Sequence, residues 1–511
     1  MELDHETCYR AILTRDPRFD GRLFIGVHTT GIYCRPICPA RTPKLANVSF
    51  YPSAAAAQEA GFRPCLRCRP ERSPDLAAWH ETSNTVTRAL ALIGQGAMDE
   101  EGVEALAERL GVGERHLRRL FNQHLGASPI AIAQTRRVLF AKQLITETRM
   151  PLTEIALAAG FGSVRRFNAI FRELYKRPPR ELRRSRSAKD NEVSATSGIT
   201  IILPFKPPYD WSVMIRFLTA RAIPGVEVVD EIAHYHRSIC LNRACGKISV
   251  GPDQGVNGLR VTIQFPFVEA LAGIIERIRC VFDLSADPLA IGADLSKDPF
   301  LAPLVALRPG LRVPGAWDSF ELAARAILGQ QITVRAATTL AGRLVADLGR
   351  PLNNDATDGL THAFPSAGDI ASANLELLPM PKARSRALLA LARIAASNPR
   401  LFSPSQTLET MIERLRELPG IGDWTAQYIA MRALREPDAF PAADVGLLRA
   451  LADSHGRRPT PAELVARAEQ WRPWRAYAAM YLWTVDLKAA NGSLSPHPSR
   501  LKESVGDAVA A

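Results

Sequence analysis

Nowhere in this chain do apolar residues run long enough without interruption to span a bilayer, which excludes a helical membrane anchor. The opening Met1-Glu2-Leu3-Asp4-His5-Glu6 is polar and acidic, unlike the basic and then apolar start of a secretory leader. An acidic excess is missing too. Lys and Arg number 64 against 52 Asp and Glu, the net charge is +12 and the pI is about 9.5. That balance favours a nucleic-acid partner over an acidic or neutral one, and no membrane partner is expected. Cysteine is scarce, with eight in 511 residues, and the length corresponds to roughly three to four domains.

Four of the eight cysteines are grouped. Cys34-Arg35-Pro36-Ile37-Cys38 is answered by Cys65-Leu66-Arg67-Cys68. Two short Cys pairs separated by a polar, Pro-bearing loop suit a tetrahedral four-thiolate zinc site, because one turn can supply two ligands. Two disulfides or chance spacing are the alternatives, and no secretory context supports a disulfide framework. Cys8, Cys240, Cys245 and Cys280 show no such pairing. They are expected to be reduced thiols of a cytosolic protein.

The flanks of the cluster narrow the reading. Thr29-Thr30-Gly31-Ile32-Tyr33 precedes Cys34, Pro39-Ala40-Arg41 follows Cys38, and Gly61-Phe62-Arg63-Pro64 introduces Cys65. Together these resemble the methyl-acceptor module of the bacterial Ada alkylation-response proteins. The resemblance implies that Cys34 is both zinc ligand and nucleophile, with a DNA methylphosphotriester as donor. It also implies that Thr30, Arg35, Arg41, Arg63 and Arg67 face DNA, ordinary solvated charge being the alternative for the arginines. The chemistry fits the double role. Zinc keeps thiols ionised at neutral pH, and four thiolates on one zinc carry a net charge of about minus two. Methylating Cys34 removes one negative charge from a surface facing DNA, which lowers repulsion and tightens binding.

The next hundred residues are helical in pattern. Val103, Leu106, Ala107 and Leu110 recur at helical spacing up to Gly111, and a second helix starts at Gly113-Glu114. The pattern returns with Leu152, Ile155, Ala156 and Ala159, then Gly160-Phe161-Gly162, then Val164, Phe167 and Phe171. Two such units, a long helix over about 129–148 between them and the tail Phe171-Arg172-Glu173-Leu174-Tyr175-Lys176-Arg177-Pro178-Pro179 are similar to the AraC-type DNA-binding domain. The second helix of each unit is then expected in the major groove. Its exposed candidates are Arg115, His116 and Arg119 in the first unit and Ser163, Arg165 and Arg166 in the second; each suits a phosphate as well as a base. The apolar positions are expected to be core.

The segment 183–198 is Ser- and Ala-rich and basic, and it is expected to be a flexible linker. Beyond it, Ile199–Phe205, Val226–Leu241, Lys247–Val250 and Leu259–Phe265 are β-rich. An amphipathic helix with Val268, Leu271, Ile274, Ile275 and Ile278 on one side follows. Pro207-Pro208-Tyr209-Asp210-Trp211 and Phe217-Leu218-Thr219-Ala220-Arg221-Ala222 resemble the amino-terminal sheet domain of the AlkA DNA glycosylases.

Helical character returns near Pro309. Leu408, Met411, Ile412, Leu415 and Leu418 form an apolar stripe, Pro419-Gly420-Ile421-Gly422 turns the chain, and a second helix starts at Trp424: a helix-hairpin-helix. Gly420 and Gly422 let backbone N–H groups approach a DNA phosphate without a Cβ in the way. Asp444, in Phe440-Pro441-Ala442-Ala443-Asp444-Val445-Gly446, matches the catalytic Asp of helix-hairpin-helix glycosylases; a helix N-cap is its other role, and both can coexist. Bifunctional members of that family carry a Lys where this chain has Trp424, so the resemblance implies a monofunctional glycosylase. Trp424, Tyr428 and Trp483 would line an electron-rich pocket for a positively charged alkylpurine, attracted by roughly 0.5–2 kcal/mol; plain core packing is the alternative. Two departures are noted. Ala443 stands where AlkA has a second Asp, and Gln331 stands near the apolar wedge.

The fold class expected is multidomain, mainly α with α+β parts. It comprises a small zinc module (1–76), an AraC-type double helix-turn-helix (84–182), a linker (183–198), an AlkA-type antiparallel sheet domain (199–308) and an all-α helix-hairpin-helix glycosylase domain (309–495). The chain resembles an Ada–AlkA fusion. That implies a bacterial cytoplasmic, nucleoid-associated regulator and repair enzyme. Zinc and a monovalent cation at the hairpin would be its cofactors, with double-stranded DNA and RNA polymerase as partners. The methylguanine acceptor motif Pro-Cys-His-Arg is absent. A regulator with a non-catalytic, damage-binding second half, and a glycosylase with a purely structural zinc module, are the rival readings.

Overall fold

The structure is a computed structural model, and it describes residues 4–74, 84–99, 102–183, 198–241, 244–352, 358–375, 379–398, 400–402 and 407–490. Most of the expected linker, residues 184–197, therefore lies outside the described residues. The chain divides into two compact units. The first holds the residues up to Phe205 with Asp230–Arg279 and Leu284–Ala286; the second holds Lys206–Val229, Cys280–Asp283 and the chain from Asp287.

The first unit opens with α1 (His5–Leu13), capped by Asp4. A small sheet follows, built from β1 (Phe24–Val27), β2 (Ile32–Cys34), β3 (Val48–Tyr51) and, after α2 (Ala54–Glu59), β4 (Arg63–Pro64), in the order β3-β1-β2-β4. The pairing of β2 with β4 is parallel, Ile32 with Arg63 and Tyr33 with Pro64. Two strands that run side by side in one direction end together. Cys34 at the end of β2 and Cys65 just after β4 are thus delivered to one place from separate stretches of the module. Its apolar cores are small, Cys8, Ala11, Ile12, Leu23, Ile25 and Val48 on one side and Phe24, Tyr33, Ala57 and Phe62 on the other. So little apolar burial makes a metal a structural need.

The helical part comprises α3 (Asn84–Gly94), α4 (Val103–Arg109), α5 (Glu114–Leu125), α6 (Pro129–Glu147), α7 (Leu152–Ala158), α8 (Val164–Tyr175) and α9 (Pro179–Leu182). Val103, Leu106, Ala107 and Leu110 are all buried, as their spacing requires. Ser128 caps α6 with Pro129 in its first turn, and Ser163 caps α8 by accepting from Arg166 N–H. Val164 departs from the expectation that apolar positions here are core. It is the first residue of α8 and is 36% exposed, because the first turn of the helix projects beyond the packing that buries Phe167 and Phe171.

After β5 (Ile199–Pro204), α10 (Trp211–Thr219) and β6 (Glu227–Val229) belong to the second unit. The chain returns to the first as β7 (Tyr235–Leu241), β8 (Ala244–Pro252) and β9 (Gly258–Gln264), and α11 (Leu271–Val281) follows. Within the first unit the strands run antiparallel in the order β5-β9-β8-β7. The β run expected over Val226–Leu241 is interrupted. Asp230 accepts from the N–H of Ile232 and His234, and Ala233 has φ 60, so the side chain folds the backbone into a turn. Val268 lies in a short 3-10 turn ahead of α11. Cys240 and Cys245 were expected as separate thiols. They face one another across the β7–β8 hairpin, Cα to Cα 4.1 Å, and are bonded as a disulfide, because the register places them directly opposite.

The second unit continues through α12 (Pro288–Leu295), α13 (Ala302–Leu307), α14 (Ser319–Leu328) and α15 (Val334–Leu348). A minimal ribbon of β10 (Arg350–Pro351) and β11 (His362–Ala363) comes next. The remaining helices are α16 (Ala367–Ala371), α17 (Lys382–Ser397), α18 (Leu408–Arg416), α19 (Asp423–Arg432), α20 (Val445–Ala450), α21 (Pro461–Ala468) and α22 (Arg475–Ala490). The stripe Leu408, Met411, Ile412, Leu415 and Leu418 is buried. Gly420 has φ +80, and a Cβ there would lie 2.4 Å from the Ala387 Cβ, so both conformation and packing require glycine in the hairpin. Among the described residues, no helix is long and apolar enough to cross a membrane.

Candidate functional sites

In the first unit the Sγ atoms of Cys34, Cys38, Cys65 and Cys68 lie within 4.8 Å of one another. Backbone N–H groups point at two of these sulfurs, Arg35 N–H at Cys68 Sγ and Arg67 N–H at Cys65 Sγ, each at 3.3 Å. Four thiols this close cannot all ionise unaided. Hydrogen bonding to Cys38, Cys65 and Cys68, together with burial, pushes the Cys34 thiol up, while its bond with Cys34 lowers Cys38 to about 7. A divalent cation resolves that conflict, and the all-sulfur donor set suits zinc. Cys8 is buried in a separate apolar core and is not among the clustered thiols; burial and then Asp4 push its thiol up to about 11.

Cys34 and Cys38 are half-buried, whereas Cys65 and Cys68 are buried. Cys34 lines a cavity of about 480 Å³ together with Thr30, Arg41, Arg63 and Arg67. Thr30, Arg41 and Arg67 are exposed and Arg63 is half-buried. Arg35 is placed otherwise than its neighbours suggest. Its side chain is buried, gripping the Asp20 carboxylate with Nε at 2.7 Å and with a second, shorter bond from Nη2, and Nη1 donates to the Cys68 carbonyl at 3.1 Å. It therefore holds the cluster's frame rather than standing free for phosphate; nothing adjacent in sequence announces Asp20 as its partner. On the helices, Arg115, His116 and Arg119 of α5 and Ser163, Arg165 and Arg166 of α8 are exposed.

In the second unit Asp444 is the N-cap of α20. Its Oδ1 accepts from Gly446 N–H at 2.9 Å and Leu447 N–H at 3.2 Å. Both expected pocket tryptophans also reach it. Trp483 Nε1 donates to Oδ1 at 2.9 Å, and Trp424 Nε1 donates to Oδ2 at 3.0 Å. Four N–H donors thus fix the carboxylate. Trp424 stacks on Tyr428 with centroids 5.2 Å apart and planes 10° apart. The Arg432 guanidinium lies over the Tyr428 ring at 5.3 Å and donates to its hydroxyl at 2.6 Å. Burial raises the pKa of that hydroxyl, but Arg432, Arg221 and Arg325 outweigh it and the net direction is down. Sequence reading missed these arginines, which are brought together from three separate stretches.

Gly420 and Gly422 lie exposed at the hairpin, and Gln330 Nε2 donates to the Gly420 carbonyl at 2.8 Å. Gln331 has φ 58 and is exposed, followed by the exposed apolar Ile332. Ala443 is exposed beside Asp444.

A thiol cluster and paired helix-turn-helix units in one unit, and a helix-hairpin-helix with a fixed carboxylate in the other, define a zinc-binding, DNA-binding regulator joined to a base-excision glycosylase. Comparison with known families agrees part by part. Residues 7–71 match the metal binding domain of Ada, 106–185 a helix-turn-helix domain, 200–318 the AlkA N-terminal domain and 324–476 the HhH-GPD superfamily of base excision DNA repair proteins. The probable bifunctional transcriptional activator/DNA repair enzyme AlkA of Mycobacterium tuberculosis H37Rv is 41% identical over 485 residues, 95% of this chain and 97% of that protein. This chain belongs to that family of bifunctional transcriptional activator/DNA repair proteins. DNA-3-methyladenine glycosylase 2 of Escherichia coli K12 is 34% identical over 55% of this chain and 95% of its own length. The bifunctional activator/repair enzyme Ada of the same organism is 39% identical over 30% of this chain and 42% of its own length.

Proposed function

We propose that the chain repairs alkylated DNA by two chemistries and converts the first into a transcriptional signal. At Cys34 the sulfur attacks the methyl carbon of a DNA methylphosphotriester. The S–C bond forms, the C–O bond breaks and the phosphodiester leaves with the negative charge. The product is a thioether, so the transfer happens once per molecule. Zinc bound by Cys34, Cys38, Cys65 and Cys68 would keep the thiols ionised at neutral pH. Thr30, Arg41, Arg63 and Arg67 face the backbone around the triester, while Arg35 holds the loop that carries the nucleophile. The helices bearing Arg115, His116, Arg119, Arg165 and Arg166 then bind promoter DNA, with RNA polymerase as the partner an activator engages.

At Asp444 the substrate is an alkylated purine flipped from the duplex. The name of the Escherichia coli relative supports 3-methyladenine, and 7-methylguanine shares its weakened glycosidic bond. The Asp444 carboxylate stabilises positive charge on the sugar or orients the attacking water. Trp424, Tyr428 and Trp483 wall the base. With Trp424 in place of a lysine, no Schiff base forms and the abasic strand stays intact. Gly420 and Gly422 bring the hairpin backbone to a phosphate, and a monovalent cation held at that hairpin would add positive charge for it.

The observation that carries this reading is the Asp444 carboxylate, fixed by two indole N–H groups in a chain that also presents Cys34 to a basic cavity. Two single variants test it. Asp444→Asn is expected to keep methyl transfer and lose base release, and Cys34→Ala to do the reverse. Base release that survives in Asp444→Asn, or a borohydride-trapped strand with the wild-type chain, contradicts the glycosylase reading.

A further inference from the structure

The cavity in front of Cys34 has a wall that the zinc module does not supply. Tyr175, Lys176 and Arg177, from the end of α8, line it together with Arg41, Arg63 and Arg67. The lining contains no carboxylate, and of its arginines Arg35 is held from behind by Asp20. The wall is anchored from behind. Tyr175 is buried, stacked on Phe171 with centroids 5.4 Å apart, and the Lys142 ammonium lies over its ring at 5.8 Å. Lys142 is itself buried on a carboxylate of the zinc module, Glu71, at 2.7 Å. The end of α8 is therefore fixed against that module, while Lys176 and Arg177 remain exposed.

A second observation comes from the internal repeat. Helices α5 and α8 are both twelve residues long, and each ends in a left-handed cap, Gly126 at φ 65 and Lys176 at φ 56. Pro129 and Pro179 start the next helix at the same offset. The first unit thus fills its cap with glycine, the residue to which that conformation costs least. The second places a lysine there and an arginine after it. A basic residue near a helix C-terminus is favourable through the helix dipole, but any position in the last turn would serve that. A strained cap held by a lysine beside the nucleophile's cavity points to a use for the side chain.

Resting on the methyl-acceptor reading above, we infer that Lys176 and Arg177 are positioning residues for methyl transfer: they grip the DNA phosphates flanking the methylated one, so the second helix-turn-helix unit takes part in seating the triester on Cys34. The phosphates on either side of a neutral triester keep their charge, and a cavity lined by cations from both the zinc module and the end of α8 can hold both.

The test uses the full-length chain with Lys176→Gly and Arg177→Ala combined. The glycine suits the left-handed cap, so the fold should be kept, and zinc content and thermal unfolding verify that. Binding to an unmethylated duplex is measured against salt, and transfer to Cys34 is measured against the concentration of a duplex carrying one methylphosphotriester. Loss of two phosphate contacts should make the slope of log K on log salt shallower by about 2. At moderate salt the half-saturating DNA concentration for transfer should rise by roughly ten-fold, with the saturated rate little changed. The pair Lys176→Arg and Arg177→Lys should restore both. A salt slope equal to wild type in the Gly/Ala variant overturns the inference. If the wild-type chain moves no methyl to Cys34, the functional reading falls instead, and the salt slope still decides on these two residues.

Discussion

Asp444 caps α20, and in the proposed reaction the same carboxylate is the charge facing the sugar. Substitution can separate them. Asparagine caps helices about as well as aspartate, so Asp444→Asn should unfold at nearly the wild-type temperature while base release falls on the order of 10²–10³. Asp444→Ala should lose a further stability of about 1 kcal/mol, read by denaturant titration. Trp424→Phe keeps a ring to stack on Tyr428 but removes the N–H from Oδ2. Its base release should fall by roughly ten-fold, the equivalent of about 1.4 kcal/mol. A variant as active as wild type would leave the indole N–H with no part in holding the carboxylate. At this scale the sequence announces residue types well, because cysteine pairs and an aspartate after a Gly-x-Gly hairpin are patterned locally. It does not announce the bonds from Trp424 and Trp483 to Asp444, which span 20 and 39 residues. The inward turn of Arg35 to Asp20 is equally hidden. Flanking residues cannot say which way an arginine points when its partner is on another loop.

Among the elements, the parallel step from β2 to β4 does most to build the zinc site, since it brings Cys34 and Cys65 side by side. Helix periodicity was plain in the sequence, and α4 and α18 bury the residues their spacing selects. A two-residue strand such as β4 has no period to read. The helix that links the two helix-turn-helix units was visible as a long helix, but not the polar contacts it makes with the zinc module. Lys142 of α6 is 2% exposed and pairs with Glu71 at 1%, while Arg69 and Arg72 both reach Glu147 at the helix end. Removing one partner of a buried pair costs about 3–5 kcal/mol. Because Arg69 also reaches Glu71, Lys142→Met should lie near the lower bound. Denaturant unfolding checks this, and a loss below about 1 kcal/mol would show that Arg69 alone neutralises Glu71.

Over the whole chain, the order of the parts was legible because each carries its own local pattern: thiol pairs, paired amphipathic helices, β-rich segments and a glycine hairpin. The partition into two units was not, since residues 206–229 pack with the helical half although they lie ahead of the strands β7 to β9. At this scale the proposed methyl transfer would turn damage into a signal. On that reading a methyl on Cys34 cancels one negative charge of the thiolate cluster that faces the cavity, so methylated protein should bind promoter DNA more tightly at a given salt. Equal affinity of the two forms in titrations at fixed salt would remove the switch.

The central claim is that this glycosylase also accepts a methyl group on Cys34. Peptide mass spectrometry of the full-length chain after incubation with methylated duplex DNA tests it most directly. One methyl group on the peptide bearing Cys34, absent from Cys34→Ala, is the result predicted. An unmodified Cys34, or a methyl found on another residue with the zinc site intact, would contradict it.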